Sequence, residues 1–257
     1  VWLTQEVMMF AFASVLTIFI VTFIGFIDDM LMVKTQGKGG GLRQWQKPLL
    51  TLAAAIPLMV VNAGMSKLIV PFVGHVEFGL LYPLLLVPLG VVGAANMVNL
   101  FAGFNGLESG LGIIYLTSLG AYAYVHERYL AVILAFITVA ALIAYHYYNK
   151  YPAKILPGDS LTYLLGAVLA SIAIVGDLEK AAIIVSIPFF IECLLKLRGK
   201  FKKHTIGYIK NGKIHSYHDK IYSLPHILTR TGKYTEKQVV YAMYGIQLIF
   251  AILVWFV

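Results

Sequence analysis

Asp28 and Asp29 stand side by side at the end of an apolar run (FIGFIDDML), and Asp159 opens another (PGDSLTYLLG). Between them lies NMVNLFAGFNGLESG, which carries Asn96, Asn99, Asn105 and Glu108. Carboxylates and amides of this kind suit a hard cation. Mg²⁺ takes oxygen ligands and is usually held by one or two carboxylates together with phosphates. Two adjacent carboxylates repel, which favours one of them as a proton acceptor. Basic loops beside them would neutralise phosphate oxygens. Taken singly, each motif has a plainer account: an Asp at a helix end is a cap, and an Asn-Gly pair is a turn. What sets these residues apart is that they share one face, which follows from the elements that carry them.

Apolar residues make up 60% of the 257-residue chain and charged residues 12%, with a mean hydropathy of +0.81. A soluble domain carries about 25% charged residues, so water is not the solvent of most of this surface. Apolar runs fall at 7–27, 48–63, 79–98, 109–125, 129–148, 160–176, 181–197 and 238–257. Each is about long enough to cross a bilayer when tilt is allowed. The chain therefore reads as an all-α polytopic membrane protein with about eight transmembrane helices. It forms one transmembrane domain over 1–257, with a loop, 198–236, inserted between the last two spans. The segment 65–78 is apolar but broken by Pro71 and Gly74, and it reads as a short hairpin or interfacial piece.

Eight spans sort the loops onto two sides. One side holds 17 of the 20 basic residues: Lys34, Lys38, Arg43, Lys47, Lys150, Lys154 and the eleven from Lys196 to Lys237. The other holds Lys67, Arg128 and Lys180. The basic side is expected to be cytoplasmic. Topology and anionic headgroups account for most of these lysines. No aromatic-basic stripe points to nucleic acid. Asp28, Asp29, Asn96, Asn99, Asn105, Glu108 and Asp159 all fall at cytoplasmic ends, whereas Glu77, Glu127, Asp177 and Glu179 sit in turns opposite. This shared face points to phosphoryl-group chemistry at the membrane surface.

Other residues have structural accounts. The single Cys193 allows neither a disulfide within the chain nor a cysteine metal site. Gly103, Gly106, Gly110 and Gly112 follow no strand, so they are not a dinucleotide fingerprint; they would cradle a phosphate or nucleoside, or permit close helix packing. Glu192 is expected to pair with Lys196 one turn on. His146, among tyrosines, is read as an interfacial belt residue, and His204, His215 and His218 as solvated loop histidines. Pro57, Pro83, Pro88 and Pro188 should kink their spans, and a groove for a lipid tail would open at such a kink. The run KHTIGYIKNGKIHSY, with Asn211-Gly212 between β-branched stretches, reads as a hairpin that would cover a substrate sugar.

IDDM, NMVNLFAGFNGLESG and PGDSLTYLLG, in this order, resemble the polyprenyl-phosphate N-acetylhexosamine-1-phosphate transferases. The asparagine–glycine segment, Asn96 to Glu108, is similar to the NxxNxxAGxNGLE pattern of the eukaryotic and archaeal UDP-GlcNAc:dolichyl-phosphate branch. The resemblance implies transfer of GlcNAc-1-phosphate from UDP-GlcNAc to a polyprenyl (dolichyl) phosphate, releasing UMP, the first membrane step of lipid-linked glycan assembly. It implies Mg²⁺, with Mn²⁺ as a substitute, a homodimer, and an active site on the cytoplasmic face of the plasma membrane or endoplasmic reticulum. By motif, Asn99 and Asp159 would hold the metal, and Asp28 and Asp29 would lie by the metal and lipid phosphate, one of them as base. Lys38 would contact phosphate. Asn105 and Glu108 would lie near the uridine, with Asn96 also on the substrate side. Within SLPHILTR, His226 and Arg230 are the nearest match to a substrate-binding histidine–arginine motif. Members of the family carry two further spans before the Asp pair, where this chain has 27 residues, so a truncated chain is expected. A lipid-linked sugar transporter would place charges near the midplane instead; a non-catalytic membrane subunit would show no Mg²⁺-dependent UMP release.

Overall fold

The computed structural model describes residues 4–35, 40–62, 67–70 and 74–256. Helix α1 (Gln5–Lys34) is capped by the Thr4 hydroxyl, which accepts from Val7 N. Pro57 separates α2 (Gln46–Ala54) from α3 (Ile56–Val61), because proline has no N–H to continue the ladder. Strands β1 (Lys67–Val70) and β2 (Gly74–Glu77) pair antiparallel, as the hairpin reading of 65–78 expects. A π-helical turn at Tyr82–Leu86, containing Pro83, leads into α4 (Val87–Leu100), which has Pro88 in its first turn. Then come α5 (Leu107–Val125), α6 (Tyr129–Asn149) and α7 (Gly158–Val175). Pro188 divides α8 (Glu179–Val185) from α9 (Ile187–Arg198). Strands β3 (Gly207–Lys210) and β4 (Lys213–Ser216) form the second hairpin around Asn211 (φ 52°) and Gly212 (φ 72°). Two positive φ values are what a two-residue hairpin of matching twist requires. A short α10 (His226–Thr229) precedes α11 (Glu236–Leu253), whose start is a capping box between Thr235 and Gln238.

Helix α7 is the hub, touching α1, α4 and α6, while α5 lies between α6 and α11. Small residues let these helices approach closely. A Cβ on Gly166 of α7 would stand 2.4 Å from Ala95 Cα on α4, and one on Gly25 of α1 would stand 2.5 Å from the Asp159 carbonyl oxygen. Close backbone approach of this kind is how helices associate in lipid. Outward faces are apolar: Phe12, Phe19, Phe23 and Phe26 line the exposed side of α1.

Each of the eight apolar runs contains helix, and among the described residues five helices are long and apolar enough to cross a membrane: Gln5–Lys34, Tyr82–Leu100, Tyr129–Asn149, Gly158–Val175 and Glu236–Phe256. The other three differ for identifiable reasons. The 46–61 and 179–198 segments are interrupted at Pro57 and Pro188. Helix α5 is diluted by Glu108, Ser109, Thr117, Ser118 and three glycines.

Candidate active site

Five helix ends converge at one face of the bundle. Asp28 and Asp29 occupy the last turns of α1, Lys47 the first turn of α2, Asn96 and Asn99 the end of α4, Asp159 the start of α7, and Lys196 the end of α9. The Lys47 ammonium bridges two acids, 2.5 Å from Asp28 Oδ2 and 2.6 Å from Asp159 Oδ2. Asp28 is almost fully buried. Its Oδ1 accepts the Leu42 N–H, and its Oδ2 is paired with Lys47.

Asp29 points the other way. It accepts from Asp159 N (2.8 Å), Ser160 N (2.9 Å) and Ser160 Oγ (2.5 Å). Helix α7 has no side-chain cap of its own, so Asp29 satisfies the orphan amides of its first turn and places a negative charge at the positive end of its dipole. Gly158 (φ +61°) explains the proline–glycine–aspartate sequence: a Cβ there would stand 2.5 Å from Asp29 Oδ2.

The amides form a chain. Asn99 Nδ2 donates to Asp159 Oδ2 (3.2 Å), and its Oδ1 accepts from Thr162 Oγ1 (3.0 Å). Asn96 Nδ2 donates to Thr51 Oγ1 (3.2 Å), and its Oδ1 accepts from the Tyr163 hydroxyl (3.3 Å). The buried Asp28 carboxylate, the partly exposed Asp159 carboxylate and the Asn99 amide beside Asp159 make a hard-oxygen donor set that fits a single Mg²⁺. Asn99 would have to turn its amide over to offer oxygen on the Asp159 side, because its Nδ2 now faces Asp159.

Asp159, Asn96, Asn99 and Lys47 line a cleft of about 1030 Å³, whose other walls include Gly103, Cys193, Lys196, Phe201 and 203–206. The loop reaches the cleft because it is tied down. Glu192 accepts from Ser223 Oγ (2.6 Å) and Leu224 N (2.7 Å), besides lying 3.7 Å from Lys196 as the pairing predicts. Lys196 also donates to Thr205 Oγ1. His226 is buried: its Nδ1 accepts from Tyr222 N (3.2 Å), and its Nε2 lies 3.1 Å from the His204 carbonyl oxygen. Burial holds the His226 imidazole below the ordinary histidine range. It therefore anchors the loop and does not line the cleft. Arg230 is exposed and does not line it either, whereas His204, read as a loop histidine, does.

The remaining candidates lie apart from the acid centre. Glu108 is buried, and its Oε1 accepts from Gly103 N (2.7 Å). Asn105 N donates to Glu236 Oε1 (2.9 Å), and Asn105 lines a separate cavity. Lys38 lies outside the described residues. His146 is not a belt residue: its Nδ1 lies 2.8 Å from Ser109 Oγ, inside the bundle. Glu179 is more than a turn residue, since it accepts from the Tyr82 hydroxyl (2.6 Å). Lys47 was legible only as one basic residue among 17. Its distinguishing sign is that it opens an apolar helix at the level of the acids.

A second, apolar groove of about 370 Å³ runs along α4, α7 and α8 from Tyr82 and Glu179 to Ala94, and it shares Gly93 and Met97 with the cleft. It opens beside the helix kinked by Pro83 and Pro88.

A polytopic helical bundle with an acid–ammonium–acid centre at one end, between a polar cleft and an apolar groove, is the architecture of an integral membrane protein. Residues 11–177 match the glycosyl transferase family 4 profile, and the chain belongs to that family. It is 34% identical over 243 residues, 94% of this chain and 73% of the relative, to a Saccharolobus solfataricus protein provisionally named UDP-N-acetylglucosamine–dolichyl-phosphate N-acetylglucosaminephosphotransferase. A Sulfolobus acidocaldarius protein of the same provisional name is 33% identical over 91% of this chain and 69% of its own length. The phospho-N-acetylmuramoyl-pentapeptide-transferase of Listeria monocytogenes is 30% identical over 90% and 69%.

Proposed function

We propose that the protein transfers GlcNAc-1-phosphate from UDP-GlcNAc to a dolichyl or related polyprenyl phosphate, releasing UMP. The observation that carries this is the Asp28–Lys47–Asp159 centre at the junction of a polar cleft and an apolar groove. The names of the two archaeal relatives supply donor and acceptor. The groove suits the acceptor's hydrocarbon tail, and the cleft suits a nucleotide sugar.

An acceptor phosphate oxygen attacks the β-phosphorus of the donor. A new P–O bond forms, the bond from that phosphorus to the bridging oxygen breaks, and UMP leaves with the electron pair. The acceptor phosphate is largely ionised near neutral pH, so attack requires positioning and charge screening more than proton removal. Bound Mg²⁺, held by Asp159 and Asn99 with Asp28 beside them, would neutralise the charge developing on the pyrophosphate. Lys47 orients the two acids and offers the phosphates an ammonium. Asp29 has both oxygens engaged by α7 and acts as a positioning residue. Glu108 fixes the Gly103 loop that borders the nucleotide, and the hairpin base at 204–206 closes the cleft over the sugar. The broken 46–61 and 179–198 segments and α5 complete eight crossings, with the acid centre facing the cytoplasm beside most of the basic residues.

The test is UMP release by the reconstituted protein with UDP-GlcNAc, polyprenyl phosphate and Mg²⁺. Activity should require both lipid and metal and vanish in Asp159→Ala. Mg²⁺-independent turnover, or full activity in the variant, would sink the assignment.

A further inference from the structure

The cavity lined by Asn105 lies at the same end of the bundle as the cleft but is separate from it. It measures about 190 Å³ and is walled by the end of α6 (His146, Lys150, Tyr151) and the start of α11 (Lys237, Tyr241, Tyr244). Lys150 and Lys237 are exposed, and among the described residues neither has a carboxylate in ion-pair range. Each ammonium instead lies over a tyrosine ring, Lys150 at 5.0 Å from Tyr147 and Lys237 at 5.6 Å from Tyr241.

The depth of the cavity identifies the phase it meets. Tyr151 and Tyr241, which line it, are exposed, as are Tyr147 and Tyr148 in the last turn of α6 beside it in sequence. A ring of exposed tyrosines at helix ends marks the membrane–water interface, so the cavity sits at headgroup level. A basic pocket between helices at that depth is suited to a phosphate on a lipid. We infer that this cavity binds the phosphate of an anionic phospholipid, through Lys150 and Lys237, and in doing so steadies the 101–106 loop. The same walls hold that loop already. The Tyr244 hydroxyl donates to the Gly106 carbonyl, a Cβ on Gly106 would stand 3.1 Å from Lys150 Cα, and Glu236 accepts the Asn105 N–H. Gly103, in the same loop, lines the cleft. The lipid site thus touches one side of a segment whose other side faces the substrate cleft.

A lysine near an anionic surface contributes about fivefold to affinity, so removing both lowers it roughly 25-fold. The full chain is titrated with phosphatidylglycerol in phosphatidylcholine mixed micelles, and retained lipid is counted by native mass spectrometry. Wild type and Lys150→Arg/Lys237→Arg should retain one phosphatidylglycerol, Lys150→Ala/Lys237→Ala should lose it, and Lys220→Ala/Lys233→Ala should keep it. Millimolar inorganic phosphate or glycerol phosphate should leave it bound. Unchanged retention in the alanine pair overturns the site. Loss in the arginine pair overturns the charge-based account, even where the alanine pair fails to fold. Displacement by the soluble phosphates reassigns the cavity to a soluble anion and overturns the lipid assignment. Retention is read without substrate, so it stands or falls independently of UMP release.

Discussion

Lys47→Met removes the ammonium between Asp28 and Asp159 while keeping most of the side-chain volume. The bridge arms are 2.5 and 2.6 Å, which places the two carboxylate oxygens no more than about 5 Å apart. At that spacing and an effective dielectric of about 20, two like charges repel by about 3 kcal/mol. Asp28 is buried and cannot turn away to water, so the variant should lose about that much stability, a fall in melting temperature of roughly 6–12 °C. Loss of a preorganised positive group at a phosphoryl-transfer site should also lower kcat by roughly 10²–10³. The two effects separate with Mg²⁺. Millimolar metal should restore the melting temperature in lipid nanodiscs, because it replaces the missing charge between the acids. It should not restore UMP release, because the ammonium itself is still missing. Turnover within tenfold of wild type would refute the bridge as a catalytic element, and a melting temperature unchanged in the absence of metal would refute it as a structural one.

Gly25→Val should force α1 away from α7, because even a Cβ would stand 2.5 Å from the Asp159 carbonyl oxygen. A cost of about 1–3 kcal/mol and a kcat loss exceeding any change in KM are expected from melting curves and initial rates. Glu108→Ala strips the Gly103 N–H of its acceptor at a cost of about 1 kcal/mol, and should raise the KM for UDP-GlcNAc about fivefold with little change in kcat; Glu108→Gln, which keeps the acceptor, should stay near wild type. His226 is held neutral by burial, with a folded value below its unfolded value of about 6.5. The unfolded loop therefore binds more protons, and the stability present above about pH 6.5 is lost as pH falls through the folded value. Hydrogen exchange of 204–226 should accelerate at pH 5 relative to pH 7.5, and equal protection at both would count against the anchor.

The site was legible where residue type alone restricts the chemistry. Asp28, Asp159 and Asn99 stand out because carboxylates and amides are rare in a chain with 12% charged residues, and the structure brings both acids to Lys47 and Asn99 to Asp159. Asp29 was legible as a polar residue but not as a cap, since adjacency in sequence says nothing about which acid turns toward a neighbouring helix. Lys47 was hidden among basic residues that topology already explains. His226 misled because a histidine–arginine spacing matches a binding motif as readily as a buried anchor. His146 misled because tyrosines flank it in sequence, while the helix turns Tyr147 and Tyr148 outward and His146 toward Ser109. The prolines proved informative: each expected kink coincides with a helix break or a π-turn, and the groove opens at one of them. Only part of the expected span count stands out, because breaks at Pro57 and Pro188 divide two apolar runs into short helices and polar residues and glycines dilute α5.

The apolar groove and the polar cleft share Gly93 and Met97, so under the proposed function an acceptor lipid seated there would keep its chain in the bilayer while its headgroup reached the acids. Encounter then takes place in two dimensions. The relevant acceptor concentration is its mole fraction among the surrounding lipids, not its amount per litre, whereas the nucleotide arrives from bulk water. The two substrates meet from different phases, and adding inert lipid dilutes one without touching the other.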